Sequence, residues 1–373
     1  MKARTTLIEM HKTPVSLTSG AKPYFINGVN HAFSKEVERV INNSPTAFKC
    51  ASKTKIYIAG KGVDNDIFVD RKNTLLSTLI NRIGKDFAYF NGAFIHVAYK
   101  LNESGDVVVS GVKALDYTLC AVGKADDNGD SNYIFQLDDF ENKQKGKSKN
   151  TDNWFYTFDQ NTDVLKAQII NDYKLIHPRK KVDLIEAIKH YRGQILYINL
   201  TPEYTYSLPK VNPVFSDADT EFRISSYNNR MARGGFLGKT IFVRKGKDED
   251  EAEEFNGVIK NMLGADGSDN VMVYDVDISE DIKDALNVMQ IAPQFDDKLF
   301  DQTKNTCKQN IIDAFDIPEL LISVGDNSLF GSSAEAFVNA EKRFSNQLSF
   351  ERGIIEKTLS KILNHQFTIT PMI

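Results

Sequence analysis

The feature that most constrains the fold is the order of segments between Tyr206 and Leu363. An aromatic-proline turn is followed by a polar helix, a glycine-flanked strand, an acidic helix and an amphipathic helix that stops at Asp316-Ile317-Pro318. Because a proline disfavours helical backbone in the residue before it, Pro318 is predicted to end that last helix at Ile317. No catalytic constellation interrupts this run, which favours a structural role.

The composition is that of a globular protein. The chain has 373 residues, of which 41% are hydrophobic and 26% charged, so it can bury a core and form two or three domains or subdomains. Its formal net charge is −4. A protein that grips nucleic acid over its whole surface needs an excess of Lys and Arg, so any DNA contact must be local or weak.

The cysteines and the N-terminus indicate a protein made in a cytoplasm. Cys50, Cys120 and Cys307 lie far apart without a CxxC pair, which is typical of buried thiols in a reducing compartment. No apolar run reaches the roughly 20 residues that cross a bilayer. The first residues lack the apolar core of a signal peptide.

The first 214 residues have a mixed α+β pattern. We predict helices at Phe33–Ile41, capped by Ser34 and ended by Ser44-Pro45, at Leu75–Tyr89 and at Val182–His190. The predicted strands are Lys55–Gly60, Gly92–Tyr99, Asp106–Ser110, Asp116–Ala121, Tyr133–Leu137, Trp154–Phe158 and Gln194–Asn199. The strands Gly92–Tyr99 and Asp106–Ser110 are predicted to form a hairpin around Glu103-Ser104-Gly105. The basic tract Lys143–Lys149 fits either a solvated loop or a patch that contacts phosphate.

A stretch from Gly234 to Thr240 ends like a phosphate-binding loop. That loop needs the pattern GxxxxGK[ST], with a glycine five residues before the glycine of the GK pair. Arg233 stands at that position relative to Gly238. A strand is predicted to follow at Thr240–Val243, whereas phosphate binding needs the N-terminus of a helix. We therefore predict no nucleotide hydrolysis here.

Metal and acid–base sites are also not expected. The six histidines show neither an HExxH motif nor a close pair with metal-ligand spacing. Asp275 and Asp277 alternate with apolar residues, which is typical of a strand with one wet face, and acid–base work would require burial and a partner. We predict no catalytic residue, no metal and no cofactor.

Two helices of unusual composition flank the glycine-rich strand. The first opens at Ser216, which has capping-box character, and its faces are polar or small, so it is either solvated or packs against copies of itself. The second, residues 248–264, begins with carboxylates that complement the positive helix end. That acidic start is either an ordinary solvated cap or a negative collar that keeps DNA from sticking.

The remaining segments are a hairpin and helices. Asn270–Val276 and Leu286–Ile291 are the predicted hairpin strands, and an amphipathic helix follows from Phe295. Ser332-Ser333-Ala334-Glu335 is a second capping box. It is predicted to open helix that carries through to Ile362.

This order of segments resembles that of the portal proteins of tailed bacteriophages, the head-to-tail connector family. Their run is a Tyr-x-x-Pro turn, a stem helix, a short clip, a return helix, a hairpin and a helix ending in proline. The matching segments here are Tyr206–Pro209, Phe215–Arg233, Gly235–Lys247, Asp248–Leu263, Asn270–Ile291 and Phe295–Pro318. Ser44-Pro45, Ile58–Gly62 and the helix–Gly92–strand unit are similar to the family's wing region.

The resemblance implies a portal-like α+β fold with a defined domain order. The implied parts are a wing (1–214), a first stem helix (215–234), a clip (235–247), a second stem helix (248–264), a wing hairpin (265–294), a tunnel-proximal helix (295–318) and a C-terminal, crown-like helical region (319–373). The chain is compact for a portal, so a large crown or a long stem is not expected.

The resemblance also implies a function and partners. The subunits would form a ring, usually of twelve, at one capsid vertex of a virion assembled in the host cytoplasm. Double-stranded DNA would pass through the channel without sequence specificity during packaging and ejection. The protein partners would be the large terminase, the capsid or scaffold protein, and head-completion or tail adaptor proteins.

The implied site residues fall into three groups, none of them catalytic. The residues expected to contact partners or DNA at the clip are Arg230, Arg233, Lys239, Arg244, Lys245 and Lys247. The acidic stem residues are Asp248, Glu249, Asp250, Glu251, Glu253 and Glu254. The charged residues of the tunnel-proximal helix are Asp301, Lys304 and Lys308.

Two other interpretations stay open at the level of sequence. One is a soluble phage or bacterial hydrolase whose Asp or His residues are brought together by folding. The other is a different ring-forming virion adaptor. Subunit number and a helical tunnel would separate the two structural interpretations, and convergent titratable residues in a pocket would favour the enzyme.

Overall fold

The computed structural model describes residues 16–17, 22–127, 129–137, 153–234, 240–245, 271–276, 297–322 and 334–372. The chain divides into two compact units, one formed by Met1–Asp219 with Lys308–Ile373 and the other by Thr220–Cys307. The first unit holds a large mixed sheet with helices packed against it. The predicted α+β class is therefore confirmed.

The first unit is organised around a six-stranded sheet. Its strand order is β4-β3-β8-β7-β6-β5, and every neighbouring pair is antiparallel except the parallel pair β7–β8. The strands are β3 (Gly92–Leu101), β4 (Val107–Ala114), β5 (Cys120–Val122), β6 (Tyr133–Gln136), β7 (Asn153–Thr157) and β8 (Gln194–Asn199). A separate antiparallel pair joins β1 (Ser16–Leu17) to β2 (Ile26–Asn27).

The predicted hairpin is present as β3 and β4. The amide of Gly105 donates to the carbonyl of Asn102 at 3.1 Å, and the Asn102 side chain accepts from the amide of Asp106 at 2.7 Å. Gly105 has φ +83°, a left-handed conformation that glycine adopts without strain. The strand predicted over Asp116–Ala121 is shorter, because a 3-10 turn at Tyr117–Leu119 precedes β5.

Two consecutive helices, α1 (Phe33–Asn43) and α2 (Pro45–Ala59), correct part of the N-terminal prediction. Ser44 does end α1, but its hydroxyl also accepts from the Ala47 amide at 3.1 Å and so caps α2. The strand predicted at Lys55–Gly60 is wrong, since these residues continue α2 to Ala59. Burial of Cys50, Thr54, Tyr57 and Ile58 at helical spacing outweighs the strand propensity of the local sequence.

The predicted cap at Ser34 is also wrong. Ser34 lies inside α1, where it is buried and its hydroxyl accepts a 3.0 Å hydrogen bond from the side-chain amide of Asn27. Ala32 occupies the capping position instead. The residue therefore connects α1 to β2 and does not satisfy the first turn of its own helix.

The helix predicted near Leu75–Tyr89 is confirmed as α3 (Leu76–Phe90), whereas α4 (Thr162–Ile176) was not predicted. Asn161 caps α4 by accepting from the Asp163 amide at 2.9 Å. The helix predicted at Val182–His190 is shorter, being α5 (Leu184–Ala187) followed by a 3-10 turn.

The C-terminal helices form a broken pair, α8 (Ala334–Gln347) and α9 (Ser349–Leu363), where one continuous helix was predicted. The break is at Leu348, whose φ and ψ of −90° and 11° leave the helical region. The buried guanidinium of Arg352 donates to the carbonyls of Tyr57 and Ser345 at 3.0 and 2.6 Å. It thereby holds α2, α8 and α9 together. The serines predicted to cap α8 lie outside the described residues.

The two remaining helices are α6 (Phe215–Gly234) and α7 (Asp297–Ala314), each of which belongs partly to both units. The second unit also contains β9 (Thr240–Lys245) and β10 (Val271–Val276), which pair in parallel. Strand β9 confirms the strand predicted after the glycine-rich stretch, and β10 confirms the first strand of the predicted hairpin. The second predicted hairpin strand, Leu286–Ile291, lies outside the described residues.

Candidate functional site

The turn at Tyr206–Pro209, which precedes α6, is fixed by buried hydrogen bonds. The Tyr206 hydroxyl donates to the carbonyl of Phe25 at 2.7 Å and accepts from the amide of Val122 at 2.9 Å. The hydroxyl thus satisfies main-chain groups from two other parts of the chain, one before α1 and one in β5. The turn is an anchor in the first unit for the segment that leads into α6.

Ser207 extends this anchor into the sheet. Its amide donates to the Tyr197 hydroxyl at 2.7 Å, and its own hydroxyl lies 2.8 Å from that of Tyr117. A Cβ atom on Gly92 would collide with the Ser207 hydroxyl and would lie 2.8 Å from the Ile198 carbonyl oxygen. Glycine is therefore required at the start of β3 for the turn to pack against the sheet.

The buried tyrosines of this network serve as neutral hydrogen-bonding groups. Burial is the largest cause that raises the pKa of Tyr117, Tyr197 and Tyr206 above the ordinary value, because an ionised phenol would lose its hydration. Burial likewise raises the pKa of the Cys120 thiol. These groups stay protonated at neutral pH, so they hold the structure together and do not act as bases or nucleophiles.

The first residues of α6 are packed into the first unit. Phe215 and Ala218 are buried in its main core. Asp219 lies 3.5 Å from the guanidinium of Arg39, whose Nε is 2.8 Å from Glu36 in α1. An apolar face and a partly buried ion pair thus fix where α6 begins.

The last residues of α7 are buried in the same core as the first residues of α6. Ile311, Ile312 and Phe315 are buried in the same core. The Asn310 side chain donates a long hydrogen bond of 3.4 Å to Asp217 in α6. Helix α7 ends at Ala314, three residues before the predicted stop at Ile317, because Asp316 turns into the left-handed region with φ +52°.

Helix α7 also carries the charged residues predicted for the tunnel-proximal helix. Asp301 and Lys304 are exposed and Lys308 is half-buried. Their spacing of three and four residues places them along one side of the helix. Ile311, Ile312 and Phe315 continue this same side towards the end of the helix, so the charged residues precede the buried stripe and do not lie opposite it. Which surface of an assembly these charged residues line stays a prediction.

Within the second unit, α6 and α7 are joined by an aromatic stack. The rings of Tyr227 and Phe300 have centroids 5.7 Å apart and planes 2° from parallel. The parallel strands β9 and β10 place Arg244 opposite Asp275, one of the aspartates considered for acid–base chemistry. A parallel pair cannot be joined by a tight hairpin turn.

Several predicted site residues fall outside what the structure describes. Arg230 and Arg233 belong to α6, and Arg244 and Lys245 to β9, but the described structure does not include their side chains. The others lie outside the described residues altogether: Lys239, Lys247, Asp248, Glu249, Asp250, Glu251, Glu253 and Glu254. The predicted basic clip and acidic stem therefore stay predictions.

The described part of the chain shows no metal centre and no membrane-spanning helix. No group of three or more His, Cys, Asp or Glu residues there is placed to hold a metal ion. His177 and His190 do come together, with ring centroids 5.4 Å apart beside Tyr173. Sequence spacing did not reveal this pair, because a turn and α5 separate the two residues. Among the described helices, none is long and apolar enough to cross a bilayer.

Comparison with known proteins shows the fold. No family model and no curated protein matches the chain. A chain from the virion of a native gene transfer agent particle is similar over 91% of this chain and 83% of its own, with TM-score 0.52 and 13% identity. The fold is that of a virion chain. At this identity the likeness extends to the fold alone.

Two further structures are similar. A chain from the neck of the native gene transfer agent particle, computed with C12 symmetry, has TM-score 0.50 and 13% identity, with 93% of this chain and 84% of that chain covered. An HK97-family phage portal protein from Corynebacterium diphtheriae has 11% identity and covers 92% of this chain and 91% of its own. Its TM-score of 0.32 is too low to support an argument. The resemblance is confirmed at the level of the fold, which this chain shares with chains of a virion and of a particle neck.

Proposed function

We propose that the chain is a structural subunit of a virion head-to-tail connector, and that its copies form a ring around a channel for double-stranded DNA. The observation that supports this most strongly is the fold shared, over 91% of the chain, with a chain of a gene transfer agent virion. The similar neck structures were computed with C12 and with C6 symmetry, and a ring of twelve copies is compatible with both. The role is structural and not enzymatic.

In this proposal α6 and residues 248–264 form the stem, residues 235–247 form the clip, and α7 lies nearest the channel. Helix α6 fits a stem because its predicted faces are polar or small while its root is held in the core by Phe215 and Ala218. Helix α7 fits a channel wall because its C-terminal end is buried in the core at Ile311 and Ile312, while Asp301 and Lys304, nearer its N-terminal end, are exposed.

The charge of the chain suits a conduit. Twelve copies with a formal charge of −4 each carry about −48 in total, so the ring as a whole repels duplex DNA. A conduit has to release its cargo continuously, and weak binding serves that need. Local cations at the clip, Arg244 and Lys245 among them, would contact DNA or acidic surfaces of partner proteins.

The proposed partners follow from a position at one capsid vertex of a virion assembled in the host cytoplasm. The ring would dock the large terminase during packaging and then head-completion or tail adaptor proteins, and its outer surface would contact capsid or scaffold. A different ring-forming virion adaptor is the second candidate, because similarity to a neck chain fits it as well. Stable binding of purified terminase to the ring favours a portal over an adaptor.

The channel is tested by site-directed cross-linking. A photoreactive probe is attached to a cysteine introduced by Lys304→Cys, because Cys50, Cys120 and Cys307 are buried and do not compete for the reagent. The matched control is Lys357→Cys on the exposed surface of α9. We expect short duplex DNA to cross-link to the first variant, in rings but not in separated subunits. Equal cross-linking at both positions would contradict the placement of α7 beside the channel.

A further inference from the structure

A groove with a volume of about 970 Å³ lies on one face of the six-stranded sheet. Its walls are α3 with the loop before it on one side and the segment from Ile188 to Tyr191 on the other. Ala98 in β3 and its cross-strand partner Gly111 in β4 lie at its floor. These two residues carry almost no side chain, and Gly111 lies against Asp70 in the loop before α3. The volume is at the upper end of the range for small-molecule sites.

The two tyrosines that line the groove present apolar surface to it. The rings of Tyr99 and Tyr191 lie 6.0 Å apart. The Tyr99 hydroxyl donates to Gln194 at 2.6 Å, and that of Tyr191 donates to Gln168 at 2.7 Å. With both hydroxyls occupied inside the protein, the rings offer the groove their hydrocarbon surface.

The rim is strongly basic. Its cations are Arg71, Lys72, Arg82, Lys113 and Lys189. The guanidinium of Arg82 lies 3.9 Å from Asp86. The other four make no ion pair within the described part of the chain. Five cations at one groove are a local excess in a chain whose formal net charge is −4.

The single acidic residue that lines the groove offsets only part of this charge, chiefly that of Lys72. Asp70 uses its carboxylate to fold its own loop, since it accepts from the amides of Lys72 and Thr74 at 2.8 and 3.0 Å and from the Thr74 hydroxyl at 2.7 Å. His96 adds no charge to the groove, because burial lowers its pKa and its Nε2 lies 2.8 Å from the Arg192 carbonyl oxygen. The groove therefore carries a net excess of positive charge around its floor.

We propose that this groove is a docking site for an acidic peptide segment of a partner protein. Its carboxylates would pair with the cations of the rim, and its apolar side chains would cover the floor around Tyr99 and Tyr191. Complementary charge selects such a segment, and burial of its apolar side chains adds affinity.

Nucleic acid fits the groove less well. Phosphates would pair with the rim, but a duplex has no aliphatic surface to place on the floor. A single strand could stack bases on tyrosine faces. However, Ala98 and Gly111, which lie at the floor, offer no ring surface on which further bases could stack. The proposal concerns a surface of the first unit and does not depend on ring assembly.

The test is selection of random nine-residue peptides, displayed on beads, against the purified full chain and against a groove variant. The groove variant is Arg71→Glu, Lys113→Glu and Lys189→Glu, three exposed positions on three different segments. The matched control is Lys342→Glu, Lys357→Glu and Lys361→Glu, which makes the same charge change on α8 and α9. Unchanged melting temperatures establish that both variants are folded.

We expect the peptides that bind the full chain to be enriched in both acidic and apolar residues. Their binding should weaken by roughly tenfold or more in the groove variant, should be unchanged in the control and should fall with added salt. Peptides without acidic enrichment, or bound equally by the groove variant and the control, would overturn the proposal. Labelled single-stranded and duplex DNA are measured in parallel. Groove-dependent DNA binding tighter than that of the selected peptides would also overturn it, in favour of a nucleic-acid site.

Discussion

The ring of Tyr227 in α6 stacks on the ring of Phe300 in α7, with planes 2° from parallel. In the first unit the same two helices are joined by the hydrogen bond from Asn310 to Asp217. Each unit thus contains a contact between α6 and α7. Stacked aromatic pairs contribute about 0.5–1.5 kcal/mol beyond burial, so the contact between Tyr227 and Phe300 is the stronger of the two.

Removing that stack is predicted to loosen the second unit alone. In Tyr227→Ala, we expect faster amide hydrogen exchange in residues 220–234 and 297–307 and unchanged exchange in the sheet of the first unit, because local openings follow local contacts. Tyr227→Phe keeps the ring and serves as the control. If the amides of the alanine and phenylalanine variants exchange at the same rates, the stack contributes nothing to the stability of the second unit.

Removing one hydroxyl from the anchor turn is predicted to destabilise the first unit. Tyr206→Phe leaves the Phe25 carbonyl and the Val122 amide without the partner they have in the folded protein. We expect a loss of about 1–3 kcal/mol in the free energy of unfolding, measured by chemical denaturation. Tyr204→Phe, at a residue 36% exposed, is the control and should change little. Equal stability of the two variants would contradict the anchoring role of Tyr206.

Arg352 is predicted to be necessary for the packing of the C-terminal helices. Arg352→Met keeps most of the side-chain volume but removes both donors to the carbonyls of Tyr57 and Ser345. We expect destabilisation by about 2–4 kcal/mol, since two carbonyls lose their charged partner. The same change at the exposed Arg343 should be nearly neutral. If Arg352→Met leaves the free energy of unfolding unchanged, apolar packing alone holds α2, α8 and α9 together.

Asp86 is predicted to make stability depend on pH. Burial raises its pKa to about 7, against the opposing effects of Arg82 and Lys85 and together with smaller contributions from Asp116 and Glu38. An unfolded aspartate releases its proton near about pH 4, so between these values the folded protein binds more protons than the unfolded chain. The contribution of Asp86 to stability is therefore greatest below about pH 4 and falls as the pH rises towards 7.

The variant Asp86→Asn tests this dependence. We expect it to be more stable than the natural protein at about pH 8 and to lose part of the fall in stability between about pH 5 and pH 8, as measured by denaturation at each pH. Glu103→Gln, at the exposed tip of the hairpin, is the control. If the stability of Asp86→Asn depends on pH in the same way as that of the control, Asp86 does not retain its proton in the folded protein.

Local sequence patterns predicted the elements that depend on local contacts. Gly105 between two apolar runs indicated the hairpin, and the apolar period around Leu79 and Ile83 indicated α3. Helix α2 was misassigned where Ile56, Tyr57 and Ile58 have strand propensity, because the burial of Tyr57 and Ile58 on one side of a helix outweighs it. Helix α4 was missed, although Leu165, Ile169 and Tyr173 have helical spacing and are buried.

The contacts that define the anchor and the groove are long-range, which is why sequence alone did not reveal them. The sequence singled out Tyr206, but its partner Phe25 lies 181 positions away. The cations of the groove come from separate segments around Arg71, Lys113 and Lys189, and only the fold of the sheet brings them to one surface. The parallel pairing of β9 with β10 joins strands that are not adjacent in sequence, so no hairpin turn signals it.

The central claim is that this chain forms a ring with an axial channel. The most direct measurement is mass photometry of the purified full chain over a range of concentration and salt, followed by electron microscopy of the largest species. Twelve copies of the 42.0 kDa chain would weigh about 504 kDa, and we expect a particle of about that mass with a central hole. A chain that stays at 42.0 kDa under all these conditions, or that assembles without a hole, would contradict the account.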